Sequence, residues 1–104
     1  MSSTRSINRL FGVLALTLLF AACETAPPVQ EMSDARQAIT VAREAGAADL
    51  AAAELAAAEQ YLQNAESKLD DEQYREARNA ALEAKLRAQK ALQMSEASRD
   101  SNRD

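Results

Sequence analysis

From Glu31 to the end of the chain there is one glycine, Gly46, and no proline. These two residues are the strongest helix breakers, and alanine, which recurs throughout this stretch, is the best helix former. Little can form here except helix, interrupted where Gly46 or a change of apolar register allows. The first helix is expected from Val29 or Glu31 to Ala45, with Val29, Met32, Ala35, Ile39 and Ala42 at three- and four-residue steps. Gly46 then suits the left-handed position just past a helix end.

The second helix is expected from about Ala51 to Leu69. Ala51, Leu55, Ala58, Leu62, Ala65 and Leu69 are spaced 4-3-4-3-4, a heptad-like seam. A third helix follows D-D-E-Q, in which Asp70 and Gln73 have the spacing of a capping box. Its stripe is Tyr74, Ala77, Ala81, Ala84, Ala88, Ala91 and Ser95, widened by Leu82 and Leu92. The fold class is therefore all-α, a small three-helix unit. Its helix-packing residues are Leu55, Ala58, Leu62, Ala65 and Leu69 on one helix and Tyr74, Ala77, Ala81, Ala84 and Ala88 on the next. Glu83 with Arg87, Lys68 with Glu72, and Asp71 with Arg75 are four apart, the spacing of supportive ion pairs on an exposed helix. Residues 31–95 form the alanine-rich helical domain, and the polar, aperiodic residues 96–104 are expected to fray.

The first 22 residues have a different character. Arg5 and Arg9 precede a low-polarity run from Leu10 to Ala22, too short for a permanent span and of the length of an export signal's apolar region. The run ends in L-F-A-A-C, whose cysteine is the only one in the chain. This junction resembles a lipobox, with Phe20 standing where Leu is usual. The resemblance implies cleavage before Cys23, its thioether linkage to diacylglycerol and acylation of the new amine. Glu24, rather than Asp, after the cysteine implies the outer membrane by analogy with enterobacterial sorting. Residues 23–30, containing Pro27 and Pro28, read as a short extended tether to the helices.

Two of the twelve basic residues precede Cys23 and all sixteen acidic ones follow it, so the mature chain carries a side-chain charge of −6. That balance, without a basic stripe or an aromatic platform, argues against a nucleic-acid partner. Histidine is absent, so Ser33, Ser67, Ser95 and Ser98 have no imidazole to activate them. The carboxylates read as a solvated helical surface rather than a metal site, and Asp70, Asp71 and Glu72 as a cap. No catalytic residue, metal or cofactor is expected. Tyr61 and Tyr74 are expected to plug gaps that alanine leaves in the seam.

The segments A-R-E-A-G-A-A-D-L-A-A-A-E-L-A-A-A-E-Q-Y-L, from Ala42, and L-D-D-E-Q-Y-R-E-A-R-N-A-A-L-E-A-K-L-R-A-Q-K-A-L, from Leu69, resemble an uncharacterised family of alanine-rich bacterial lipoproteins. The resemblance covers about Val29 to Met94. It is to a domain of unknown function found alone or ahead of peptidoglycan-binding domains of the outer-membrane-protein-A type. L-x-x-x-x-Y-x-x-A, Leu69 to Ala77, also looks like the turn of a tetratricopeptide helical hairpin. Ala52 and Glu72 stand where that family commonly has proline and glycine. Weaker punctuation leaves one continuous helix from about Leu50 to Ser98 as the alternative to a hairpin.

The functional expectation is a non-enzymatic envelope lipoprotein, lipid-anchored on the periplasmic face of the outer membrane. Its helix face would bind an envelope protein or a peptidoglycan-associated partner. The alternative is a self-associating structural spacer similar to the small murein lipoprotein. That protein ends in a lysine used for attachment, whereas this chain ends S-N-R-D.

Overall fold

The computed structural model describes residues 26–103. Among them the regular elements are helices: α1 Val29–Glu44, α2 Ala47–Leu50, α3 Ala52–Asp70 and α4 Tyr74–Arg103. The described part of the chain is all-α.

Helix α1 starts immediately after the proline pair. Pro28 occupies the N-cap at φ −81°, and its carbonyl accepts the Met32 N–H at 3.1 Å. At the other end Ala45 is the C-cap and Gly46 follows at φ +88°. The Gly46 N–H donates to the Arg43 carbonyl at 2.9 Å, so the glycine holds the left-handed position expected of it. Helix α2 is one further turn that the sequence did not announce. It separates from α3 at Ala51, whose φ of −148° leaves the helical region without a glycine or proline.

The α3–α4 reversal is tight. Asp71 caps α3 and Glu72 takes a φ of 59°. The Gln73 N–H donates to Lys68 O at 2.8 Å, and the Glu72 N–H to Leu69 O at 3.0 Å. That bond pair is a Schellman motif with a glutamate in the glycine position. The continuous helix from Leu50 to Ser98 is therefore excluded, and α4 folds back along α3.

The same turn corrects the capping box. Asp70 is the last residue of α3, and the Gln73 carbonyl accepts the Ala77 N–H at 2.9 Å, so Gln73 rather than Asp70 stands at the N-cap of α4. The frayed tail is also corrected, because α4 continues through 96–103 to Arg103. No breaker interrupts it, and an established helix gains a hydrogen bond with each residue added. The Arg99 guanidinium also lies over Gly46, 3.3 Å from where a Cβ would stand.

Three long helices enclose a core built mainly of alanine. Ala58, Ala65, Ala77, Ala81, Ala84 and Ala88 are completely buried and Leu55 nearly so. Leu62, Leu69 and Tyr74 from the same expected set sit half-buried at its edge. Ala91 is buried, as its place on the stripe implied, and Ala47 and Ala80 join the interior, while Leu82, expected to widen the stripe, is 44% exposed, and Val29, expected on the α1 stripe, is 68% exposed. Leu82 lies two residues from Ala84, about 160° around the helix from it, so its side chain points away from α3.

Alanine lets helix axes approach closely but buries little area per residue. The few large side chains are therefore decisive in each half of the core. Ile39 and Leu55 pack with Ala42, Ala47, Ala51, Ala58, Ala88 and Ala91, whereas Met32 packs with Ala65, Ala80, Ala81 and Leu69 near the α3–α4 turn. Ser95 is fully buried and donates its hydroxyl to the Ala91 carbonyl at 2.8 Å, which satisfies it locally.

The tether is shorter than residues 23–30. Pro28 is fully buried, Val29 and Gln30 are helical, and the Arg78 guanidinium donates to the Ala26 carbonyl at 3.1 Å. Residues 1–25, including Cys23 and the segment expected to be an export signal, lie outside the described residues.

Candidate interaction surface

The charged side chains assemble differently from the expected four-apart pairs. Among the described residues, Arg36 with Glu66 at 3.2 Å and Arg43 with Glu59 join α1 to α3. Arg78 with Glu31 at 3.2 Å and Lys85 with Asp34 at 4.0 Å join α1 to α4. Arg87 at 3.4 Å and Lys90 at 3.0 Å both reach Glu54, joining α4 to α3. Every one of these pairs crosses between helices. Arg87, expected to pair with Glu83, turns across to α3 instead. Exposed pairs contribute little stability on their own, but pairs that bridge all three interfaces disfavour sliding of one smooth alanine face along another.

Glu54 is the most enclosed of the acidic members, with 17% side-chain exposure. The hydrogen bond from Lys90, followed by that from Arg87, holds its carboxyl below the usual carboxylate range against the opposing effect of burial. Glu54 in turn raises Arg87 above the ordinary guanidinium value, first through their hydrogen bond. This cluster stabilises opposite charges rather than poising a group for proton transfer near neutrality.

Among the described residues, shallow grooves follow the helix interfaces. The α1–α4 groove, about 310 Å³, is lined by Ala38, Val41 and Leu92 with Asp34, Gln37, Lys85 and Gln89 around them. The α1–α3 groove, about 380 Å³, runs past Ile39 and Leu62 and is crossed by the Arg36–Glu66 and Arg43–Glu59 pairs. In the α3–α4 groove, about 440 Å³, Tyr61 stands beside Ala57, Gln60, Asn64 and Arg87. Tyr61 is thus a wall of a surface groove rather than a plug in the seam, and Tyr74 is half-buried at the start of α4. Both aromatic rings are too large for an interface set by alanine.

The α1–α4 groove is the candidate for contact with another molecule. It combines an apolar floor with polar walls, and Val41 remains 40% exposed. The sequence reading placed Ala38 and Val41 in no stripe. Their signal was their position beside Ala42 on α1, which acquires meaning only when α4 is known to lie alongside. Among the described residues no three metal-ligating side chains gather at one point. No described helix is long and apolar enough to cross a membrane. Cys23, the expected lipidation site, lies outside the described residues.

Neither curated proteins nor solved structures provide a match to the chain. The family described as Domain of unknown function (DUF4398) matches residues 30–103, from the first turn of α1 to the last of α4, and the chain belongs to this family.

Proposed function

We propose that this protein is a non-enzymatic envelope lipoprotein, a helical interaction module held at the periplasmic face of the outer membrane by acyl chains on Cys23. The observation that carries this reading is the junction L-F-A-A-C, with the chain's sole cysteine at the end of the Leu10–Ala22 apolar run. Three acyl chains would make the attachment effectively permanent, since one chain alone is marginal and each buried methylene contributes about 0.8 kcal/mol.

The function is then contact with another envelope component. The α1–α4 groove offers Ala38, Val41 and Leu92 between polar walls, a surface suited to a short apolar segment of a protein rather than to a polyanion. Resemblance to lipoproteins found ahead of peptidoglycan-binding domains favours a partner at the cell wall. Catalysis is disfavoured by the lack of histidine and by the internal hydrogen bond that occupies the Ser95 hydroxyl. The tetratricopeptide-like reading of the hairpin belongs to the same proposal, because such hairpins present helix faces to peptides.

Substituting Cys23 by Ala, with metabolic labelling by a radioactive fatty acid and membrane fractionation, tests the anchor. The unsubstituted chain should carry label and sediment with outer membrane, while the variant should carry none and leave that fraction. Normal processing and unchanged fractionation of the variant would refute the assignment. A second reading, self-association as a spacer, is favoured by the exposure of Leu82 and Leu86 on α4, at 44% and 58%. Sedimentation equilibrium of the mature chain, with and without Leu86→Gln, separates it from a monomeric module.

A further inference from the structure

We infer that the bundle stands on its lipid surface by the α3–α4 turn, with the C-terminal end of α4 directed away from the membrane; this rests on the Cys23 anchor proposed above. The start of α1 is fixed to that end by three contacts. Pro28 is fully buried, Arg78 donates to the Ala26 carbonyl at 3.1 Å and to Glu31 at 3.2 Å, and Met32 packs against Ala65, Leu69 and Ala80. Arg78 lies only five residues beyond Gln73, about 7 Å along the axis of α4, whereas Arg103 lies 30 residues beyond Gln73, about 45 Å.

Cys23 is three residues from Ala26. A fully extended chain of that length spans about 11 Å, so a lipid on Cys23 reaches the turn end of the bundle and not the far end. Val29, 68% exposed on the first turn of α1, is at this same end, where an apolar side chain meets the headgroup boundary at least cost. A bundle lying flat on α4 is disfavoured. Leu82 and Leu86 sit among exposed Asn79, Glu83, Gln89 and Gln93, and the cations flanking them, Arg78, Lys85 and Lys90, are paired with Glu31, Asp34 and Glu54, which neutralises the basic rim by which surface-lying helices bind lipid.

Standing upright leaves the α1–α4 groove clear of the bilayer, with Val41 and Leu92 nearer the outer end than Arg78 is. The occupant of the turn end is thus the headgroup layer, and the outer half of the bundle is what a partner meets.

The test uses the full chain, lipidated in cells, with a second cysteine introduced at Gln73, Glu76 or Ser101. Thioether linkage occupies Cys23, so a maleimide fluorophore reacts only at the new site. The protein is placed in phosphatidylcholine vesicles, then in vesicles with added phosphatidylglycerol, each carrying a nitroxide on the lipid headgroup. Strong loss of fluorescence at Gln73 and Glu76, with Ser101 unchanged from nitroxide-free vesicles, is expected in phosphatidylcholine. Two near-membrane probes, one outside the turn, keep the test valid where Gln73→Cys perturbs the reversal. Equal quenching at all three positions, or stronger quenching at Ser101, in an acylated chain would overturn the orientation alone. Failure of the chain to incorporate fatty acid would overturn the anchor and this inference with it.

Discussion

The two chain reversals each place one residue in the left-handed region, and they do so with different residues. At the α1–α2 junction Gly46 takes a φ of +88°, and α1 ends in Glu44 with Arg43 before it, the cation offsetting the carboxylate at the negative end of the helix dipole. At the α3–α4 turn Glu72 takes a φ of 59°, and the helix it terminates has Lys68 in its last turn but ends in Asp70 with Asp71 as its cap. A left-handed conformation is readily adopted by glycine but costs an L-residue about 1–2 kcal/mol, and the acidic pair adds to that cost. The first reversal is locally encoded. The second is held by what it connects, two antiparallel alanine faces that meet only if the chain turns there.

That contrast is open to test with residues 23–104 carrying Cys23→Ser. The largest effect should come from Met32, the one large side chain fully committed to the core at the Glu72 end. Met32→Ala is expected to cost about 2–5 kcal/mol by urea denaturation. If the turn depends on its tertiary contacts, amide exchange should accelerate first around Leu69 to Tyr74. Equal acceleration around Gly46 would remove the distinction between the two ends.

Next in size is overpacking of the interface that imposes the second reversal. Ala81→Leu adds volume where exposure is zero and should cost about 1–3 kcal/mol, while exposed Glu83→Gln should leave Tm nearly unchanged. An unaltered or raised Tm for Ala81→Leu would show that α3 and α4 are not tightly joined. The turn residues themselves should then respond in opposite directions. Gly46→Ala is expected to lose about 1–2 kcal/mol, with the new Cβ also crowding Arg99 at 3.3 Å. Glu72→Gly should gain up to about 1 kcal/mol, the relieved strain being partly offset by a freer unfolded chain. In a domain of this size 1 kcal/mol shifts Tm by about 4–8 °C, enough for scanning calorimetry to resolve the two signs.

The smallest effect concerns Glu54, which lies in neither turn. Its folded-state pKa is below the ordinary value of 4.5, so the folded protein binds this proton less tightly than the unfolded chain does. Its contribution is therefore present above about pH 4.5 and is lost as pH falls through the folded pKa. Glu54→Gln should lower Tm slightly at pH 7, and the gap from the unsubstituted chain should narrow on acidification below pH 4.5. A gap independent of pH would mean that the Lys90 and Arg87 contacts do not persist in solution.

The helices, their approximate ends and most of the interior were legible in the residues themselves. A 3-4 spacing is a local property, and Leu55, Ala58, Ala65, Ala77, Ala81, Ala84 and Ala88 could be assigned to a buried stripe without knowing what lies opposite. The stripe edges were less legible. Leu82 was assigned inward because it is apolar, yet its angle around α4 carries it to solvent, while Ala80 and Ala47 were passed over because alanine is common everywhere in this chain. The candidate groove was not legible at all, since Ala38, Val41 and Leu92 share a surface only after α4 has folded back beside α1.

Composition and periodicity thus determined an all-α chain with a left-handed stop at Gly46 and alanine seams on two helices. Tertiary structure decided between the expected break after Leu69 and the continuous helix, and it alone brought Arg78 to the Ala26 carbonyl and so held the start of α1 at the turn end. It also decided the partners of the charges. A helix places residues four apart within reach of each other, but Arg43, Arg78 and Arg87 instead find carboxylates on neighbouring helices. Helix periodicity repeats within a few residues and is written in the sequence, whereas which side chains face one another across an interface depends on helix rotation and register, properties that exist only in the packed bundle.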